Sequence, residues 1–148
     1  MIAHTLIIEL FVTSDENIKN IQTKFIQLIP FDLEEEEVEL HEETAIGFNQ
    51  QRIKILRIIL SKQKHINAFL SYMVDNLQDL TKEIIISQAE RRIDENLNFF
   101  LRFDKYKLLN EKQFQLIERG DCIFVKFKIA AFPKSNERAV KIIYDLFE

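Results

Sequence analysis

Aromatic and basic side chains alternate in two short stretches of the chain, at a spacing that would place them on one face of a β-strand. Phe100 stands two positions before Arg102, and Phe124 is followed by Lys126 and Lys128 at the same interval. Phenylalanine rings can stack on nucleobases at roughly 1–3 kcal/mol per base, and lysine and arginine side chains can bind phosphate groups. The two stretches therefore predict a surface suited to single-stranded RNA.

Other basic residues could extend this surface. Arg52 and Lys54 share one side of a third predicted strand, and Arg57, Lys105 and Lys107 could enlarge the patch. If helices cover one face of the predicted sheet, the outward residues of its strands would meet on the opposite face. The predicted RNA-binding residues are Arg52, Lys54, Arg57, Phe100, Arg102, Lys105, Lys107, Phe124, Lys126 and Lys128.

Two other interpretations of these residues stay open at the level of sequence. The charges could simply keep strand exteriors soluble. Phe100 and Phe124 could instead be covered by another subunit, since exposed aromatic patches often mark protein interfaces. The alternative function is therefore a protein-interaction module or a homodimeric scaffold that does not bind RNA directly.

Charge is distributed unevenly along the chain. Residues 1–43 hold eleven acidic and two basic residues, a net of −9, whereas residues 44–148 hold thirteen acidic and eighteen basic residues, a net of +5. Eight of the twelve residues 32–43 are acidic, and this run would repel RNA, so any RNA-binding surface must lie elsewhere. Consecutive glutamates point apart, which favours a solvated segment over a divalent cation site. A metal-dependent nuclease built on Glu36, Glu37 and Glu39 is a distant alternative.

The sequence shows no pattern typical of a catalytic, cofactor or metal site. His4, His41 and His65 lack the spacing of metal ligands, and Cys122 has no second cysteine to form a reactive pair. Two glycines in the whole chain are too few for the glycine-rich loops that bind phosphates. We therefore expect a non-enzymatic protein with no catalytic residues, no metal site and no cofactor.

Length and composition indicate one α+β domain over residues 1–148, because only two glycines and two prolines interrupt the chain. No apolar run approaches the roughly 18–20 residues that a membrane span needs. A single cysteine fits a reducing compartment. We therefore expect a cytoplasmic protein without a membrane-bound part.

Hydrophobic periodicity and turn residues predict the secondary structure. Strands are expected at 2–12, 38–46, 52–60, 98–103, 113–118 and 122–130, the last two joined as a hairpin at Gly120. Helices are expected after an N-cap at Thr13 or Ser14, from Ser61, from Thr81 to about Arg92, as a short turn at 105–109, and from Ser135 to the end. The predicted order is β-α-β-β-α-α-β-β-β-α, which indicates an antiparallel or mixed sheet with helices packed on one face.

Three segments, 52–57, 92–105 and 121–128, carry a family resemblance. They resemble the archaeal family of small proteins described as RNA-binding or as predicted exosome subunits, which shares an R-I-D…L-x-L-R-F-D-K segment followed by basic alternation. Arg102, Asp104 and Lys105 occupy the motif positions. The resemblance implies a fold similar to the ribosomal protein that contacts 5S RNA, and a role accessory to RNA processing. RNA and subunits of an RNA-processing complex are the implied partners, and Asp104 could alternatively serve only as a helix cap.

Overall fold

Five strands form a single antiparallel sheet in the computed structural model of the protein, which describes residues 1–148 except for the side chain of Phe48. The sheet has the order β2-β3-β1-β5-β4, so that β1 is central and β2 and β4 are the edges. The strands are β1 (Ala3–Thr13), β2 (Leu40–Ile46), β3 (Arg52–Leu60), β4 (Asn98–Asp104) and β5 (Cys122–Ile129). The prediction of an α+β fold is confirmed, and the sheet is antiparallel rather than mixed.

Five α-helices cover one face of this sheet in the described part of the chain. They are α1 (Ile18–Gln27), α2 (Gln63–Asp75), α3 (Asp79–Ser87), α4 (Lys105–Glu111) and α5 (Asn136–Phe147). Alternate residues of every long strand are buried, as in β1, where Leu6, Ile8, Leu10 and Val12 are at most 1% exposed. Burial of such a side chain stabilises the fold by about 1.5–3 kcal/mol, so the period-two pattern determines which face the helices cover.

Side-chain caps set where several helices begin. Asn17 accepts a hydrogen bond from the backbone N–H of Asn20, and Ser135 accepts one from that of Arg138, each at 3.1 Å. The prediction of Ser135 as a helix start is confirmed, whereas the N-cap at Thr13 or Ser14 is wrong. Thr13 ends β1 and its carbonyl closes a turn with the backbone N–H of Glu16, which delays α1 by one turn.

The predicted strand at 113–118 and its hairpin are wrong. Residues 113–118 are here called the edge segment. Apart from one isolated bridge between Leu116 and Phe103, this segment is irregular. It follows Lys112, whose left-handed backbone (φ 55°) ends α4 and turns the chain back along β4. Strand β5 pairs with β4 instead of with a strand at 113–118. The observed order of elements along the chain is β-α-β-β-α-α-β-α-β-α.

Lys105 is fully buried at the start of α4, with 0% of its surface exposed. Its Nζ donates to the carbonyl of Phe11 at 2.6 Å, to Glu16 Oε1 at 3.0 Å and to Asp121 Oδ2 at 2.9 Å. These three acceptors match the three protons of an ammonium group. Burial by itself would raise the pKa of Glu16, but hydrogen bonds from the Thr13 backbone and from Lys105 outweigh it and lower that pKa. The ammonium therefore joins the end of β1, the turn before α1 and the start of β5.

Replacing Lys105 with alanine should destabilise the protein by about 3 kcal/mol, because it leaves the largely buried Glu16 carboxylate without its cation. Urea unfolding followed by circular dichroism measures this change. Lys107→Ala is the matched control, since that lysine is half-exposed and pairs with the half-exposed Glu111 at 3.3 Å. The control should cost at most about 0.5 kcal/mol. Equal effects of the two substitutions would show that the buried ammonium is not a main source of stability.

Candidate nucleic-acid interface

The face of the sheet opposite the helices, here called the open face, carries the outward residues of all five strands. Strand register fixes their neighbours: Glu9 of β1 lies between Arg57 of β3 and Phe124 of β5. The same row continues from Arg57 to His41 on β2 and from Phe124 to Arg102 on β4. The row therefore crosses the whole sheet, with an aromatic ring and an arginine at its β4 end.

Two aromatic rings and two cations cluster at the β4 side of the open face, and this set is here called the aromatic–basic patch (Phe100, Arg102, Phe124, Lys126). The rings of Phe100 and Phe124 have centroids 5.6 Å apart and are inclined by 31°. The Arg102 guanidinium lies 5.2 Å from the Phe124 centroid, and Lys126 Nζ lies 6.0 Å from that of Phe100. Such contacts hold cations over ring faces. Rings and positive charges are thus within reach of one or two nucleotides.

A cleft of about 380 Å³ adjoins the patch at the β4 edge of the sheet. Besides Phe100, Arg102 and Phe124, it is lined by Arg91, Arg92, Ile117 and Glu118. Arg91 and Arg92 come from the 3₁₀ turn Glu90–Arg92, just before β4. Three guanidinium groups and one carboxylate make the cleft a favourable place for an anion.

The two adjacent arginines of this cleft differ in exposure and in hydrogen bonding, and sequence reasoning missed both. Arg92 is half-buried: it donates to the carbonyl of Phe100 at 3.0 Å and to Gln88 Oε1 at 2.9 Å. Burial lowers the pKa of Arg92, and the positive charge of Arg91 lowers it further. Arg91 is exposed and pairs with Glu118 at 3.0 Å. Their only signal in the sequence was the Arg-Arg pair at the start of the R-I-D segment.

Arg52 and Lys54 do not lie on the open face, so the prediction that they join the other cations is wrong. Lys54 pairs in register with Val12 of β1, whose side chain is buried under the helices, and Arg52 has the same parity. Lys54 Nζ donates to Thr44 Oγ1 at 2.8 Å and pairs with Glu42 at 3.4 Å. Because β3 is apolar on both sides, its sequence pattern does not reveal which side the helices cover.

The structure places Arg57, Lys105 and Lys107 in three different environments. Arg57 lies on the open face but pairs with Glu9 at 2.7 Å and Glu43 at 3.4 Å, and the bond to Glu9 raises its pKa. Lys105 is buried and cannot contact a ligand, which corrects its assignment to the surface. Lys107 is half-exposed on α4. Of the ten predicted residues, the structure brings five together on the β4–β5 side of the open face: Phe100, Arg102, Phe124, Lys126 and Lys128.

Comparison with known proteins gives matches that span the chain. A family model described as RNA binding matches residues 5–129. RNA-binding protein PAB1135 of Pyrococcus abyssi is 26% identical over 147 residues, which is 99% of this chain and 94% of that protein. Two solved structures are similar throughout: protein AF2318 from Archaeglobus fulgidus, at 25% identity and TM-score 0.85 over 97% of this chain and 99% of that one, and Mth689, a DUF54 protein from Methanothermobacter thermautotrophicus, at 27% identity and TM-score 0.80 over 100% of both chains.

The acidic segment (residues 32–39) lies on the other side of the molecule from the patch, against the start of α2. Glu36 Oε1 accepts from Lys64 Nζ at 2.8 Å and lies 2.9 Å from Nε2 of the buried His65, whose ring stacks on Phe31 at 4.6 Å. Among the side chains that the structure describes, no three His, Cys, Asp or Glu residues converge as metal ligands. The helices described here are all too short or too polar to cross a bilayer. The contacts of Glu36 with Lys64 and His65 hold the acidic segment against the start of α2.

The acidic segment should loosen in acid because of Glu36. The Lys64 ammonium and then the His65 ring hydrogen-bond to Glu36 and lower its pKa from 4.5 to about 2. A depressed pKa means that the ionised carboxylate stabilises the fold fully above pH 4.5 and that this contribution is lost as the pH falls toward 2. Urea unfolding of the protein and of Glu36→Gln should therefore differ most above pH 4.5 and converge in stronger acid. Glu34→Gln changes an exposed neighbour, so its free energy of unfolding should stay close to that of the unchanged protein throughout this pH range.

Proposed function

Because the chain belongs to the RNA-binding family, we propose that it binds single-stranded RNA through the aromatic–basic patch and the cleft beside it. The observation that carries the proposal is the pair of half-buried rings, Phe100 and Phe124, each with a cation over its face. Aromatic side chains on a sheet surface, flanked by cations, are a recurrent way of holding unpaired bases. The proposed role is binding without catalysis.

The basic and the aromatic side chains have different roles in the proposed binding of RNA. Arg102, Lys126 and Lys128 contact phosphates together with the exposed Arg91, while the rings of Phe100 and Phe124 stack on bases. Phosphate contacts release condensed counterions, so the affinity falls as salt rises. Stacking contributes roughly 1–3 kcal/mol per base and discriminates little between bases. The proposed binding is therefore salt-dependent, with a weak sequence preference.

The net charge of −4 does not oppose this proposal, because the acidic and basic surfaces are far apart. The aromatic–basic patch lies at the β4 edge, and the acidic residues of β2 lie at the opposite edge. At a strand spacing of about 4.8 Å, these edges are about 19 Å apart. The Debye length at physiological ionic strength is about 8 Å, so RNA at the β4 edge is screened from the acidic residues.

The family resemblance extends the proposal to a cellular role. It supports a cytoplasmic protein accessory to RNA processing and associated with the exosome, with a fold akin to the ribosomal protein that contacts 5S RNA. A protein-interaction role is the second candidate function. It is favoured by Phe11 and Ile59, which are 49% and 40% exposed on the same face of the sheet.

Charge reversal at the patch should weaken RNA binding roughly tenfold or more, because two phosphate contacts become repulsive. The variant is Arg102→Glu with Lys126→Glu, measured by fluorescence anisotropy of a labelled single-stranded RNA at several salt concentrations. The slope of log affinity against log salt should also become less steep, by about one for each contact removed. Circular dichroism checks that both variants fold.

Arg52→Glu with Lys54→Glu is the matched control, since it makes the same two chemical changes at the other end of the sheet, on the helix-covered side. It should bind RNA with an affinity close to that of the unchanged protein. Equal losses in the two variants would mean that net charge alone governs binding. A loss confined to the control would reject the aromatic–basic patch as the site.

A further inference from the structure

The cleft beside the aromatic–basic patch lies at a gap along the free edge of β4. Two isolated bridges flank the gap, one formed by the chain just before β4 with Phe99 and the other by the edge segment with Phe103. Between them, the Arg92 guanidinium donates to the Phe100 carbonyl at 3.0 Å, on the side of β4 that has no neighbouring strand. Both flanking segments contribute to the lining of the cleft. The cleft therefore bounds the open face on this side of the sheet.

Arg92 is held firmly in the cleft and still has donors to spare. Its Nε and one terminal nitrogen donate to Gln88 Oε1 at 2.9 and 2.6 Å, and its other terminal nitrogen donates to the Phe100 carbonyl. A guanidinium group has five N–H groups, and these bonds use three of them. Within the part of the chain that the structure describes, no acceptor bonds to the remaining two. The side chain is thus oriented in advance for a ligand with oxygen acceptors.

The lining of the cleft contains three guanidinium groups and one carboxylate, which gives it a net charge of +2. The carboxylate, Glu118, pairs with Arg91 at 3.0 Å, and both of these side chains are exposed. Arg102 lies over an aromatic ring and makes no ion pair with the residues that the structure describes. Burial lowers the pKa of Arg92, and the positive charges of Arg91 and Arg102 add to that effect. The three cations therefore repel one another, and a bound anion would relieve that repulsion.

We propose that the cleft binds the terminal phosphate of an RNA strand, a phosphate monoester, and so directs the protein to strand ends. The inference rests on the proposed function, because the bases next to that end stack on Phe100 and Phe124. A phosphate monoester carries a charge of about −1.5 to −2 at pH 7 and has three terminal oxygens. A phosphodiester inside the strand carries a single negative charge. The monoester therefore matches the net charge of the cleft more closely.

The chemistry of the lining also suits a monoester. All basic residues of the lining are arginines, and a planar guanidinium group can bind two phosphate oxygens at once, which a lysine ammonium group cannot do in the same way. The cleft volume of about 380 Å³ falls in the range of roughly 300–1,000 Å³ that is typical of small-ligand sites. The cleft is therefore large enough for a phosphate group together with part of its nucleotide.

The edge segment favours the end of a strand over its interior. The backbone N–H of Ile117 donates to the Arg102 carbonyl at 3.0 Å, which fixes the edge segment along the free edge of β4. Glu118 follows directly, so its carboxylate stands beyond that edge. A strand that continued past the cleft in this direction would bring its next phosphate toward this carboxylate. A strand that ends in the cleft avoids this repulsion.

Fluorescence anisotropy with matched short single-stranded RNAs tests the inference. One pair differs only in a 5′-phosphate or a 5′-hydroxyl and carries the dye at its 3′ end. The other pair differs only in a 3′-phosphate or a 3′-hydroxyl and carries the dye at its 5′ end. One of the two phosphates should tighten binding roughly tenfold, and the pair that shows this effect identifies the strand end that enters the cleft. Equal affinities within both pairs would overturn the inference and leave the proposed function standing, whereas no binding of any RNA would reject both.

Two substitutions separate recognition in the cleft from the extra charge on the RNA. Arg91→Gln removes an exposed cation of the lining, so phosphate-ended and hydroxyl-ended RNA should then bind with nearly equal affinity. Lys128→Gln is the matched control, because it removes one positive charge from the same side of the open face at a residue outside the lining. It should weaken the binding of both RNAs and preserve their ratio. The same loss of preference in both variants would mean that net charge decides, and would overturn the inference; circular dichroism checks that each variant folds.

Glu118→Gln should have the opposite effect to Arg91→Gln. It removes the carboxylate that pairs with Arg91, so the guanidinium becomes available and the net charge of the cleft rises. The preference for phosphate-ended RNA, measured by the same anisotropy titrations, should therefore increase. A smaller preference in this variant would contradict binding of the terminal phosphate in the cleft.

Discussion

The buried ammonium of Lys105 is the constraint on which the arrangement of the open face depends. A desolvated positive charge is tolerated only when every proton is hydrogen-bonded and an opposite charge is near. The Phe11 carbonyl, Glu16 and Asp121 meet these needs, and they come from three separate parts of the chain. Asp121 immediately precedes β5, so this contact holds the strand that carries Phe124 and Lys126. Stability and the candidate interface are therefore coupled through one side chain.

The L-R-F-D-K segment, residues 101–105, combines surface and structural roles in five consecutive residues. Arg102 faces out beside Phe124, whereas Asp104 caps α4 by accepting a hydrogen bond from the Lys107 backbone at 2.9 Å. Phe103 is fully buried, as is Lys105. Side chains alternate between the two faces along β4, and α4 begins directly after it. Neighbouring residues of the segment therefore point in opposite directions. One short motif thus supplies a surface cation, a core ring, a helix cap and a buried ion pair.

Local pattern predicted much of the fold, because periodicity and turn residues act over a few positions. Strand β3 was predicted at its observed bounds, 52–60, and the turn at 105–109 is the start of α4. Long-range contacts were beyond the sequence: no local feature shows that Lys105 meets Glu16, or that register with β1 turns Lys54 toward the helices. The sequence predicted the residues of the candidate site where rings and cations alternate on one strand. The site was missed where residues converge from a turn, as Arg91 and Arg92 do.

The two edges of the sheet discourage the addition of further strands by different means. Along β4, the backbone groups of Arg102 and Asp104 bond to the edge segment at 3.0 and 2.8 Å, and the Phe100 carbonyl is taken by Arg92. Along β2, Glu42 and Glu43 place carboxylates at the edge. Charged side chains on an edge strand make it a poor template for pairing with a further strand. The sheet therefore resists open-ended, fibre-like growth. Edge-to-edge stacking of the kind that builds amyloid-type polymers therefore has little template on either side of this sheet.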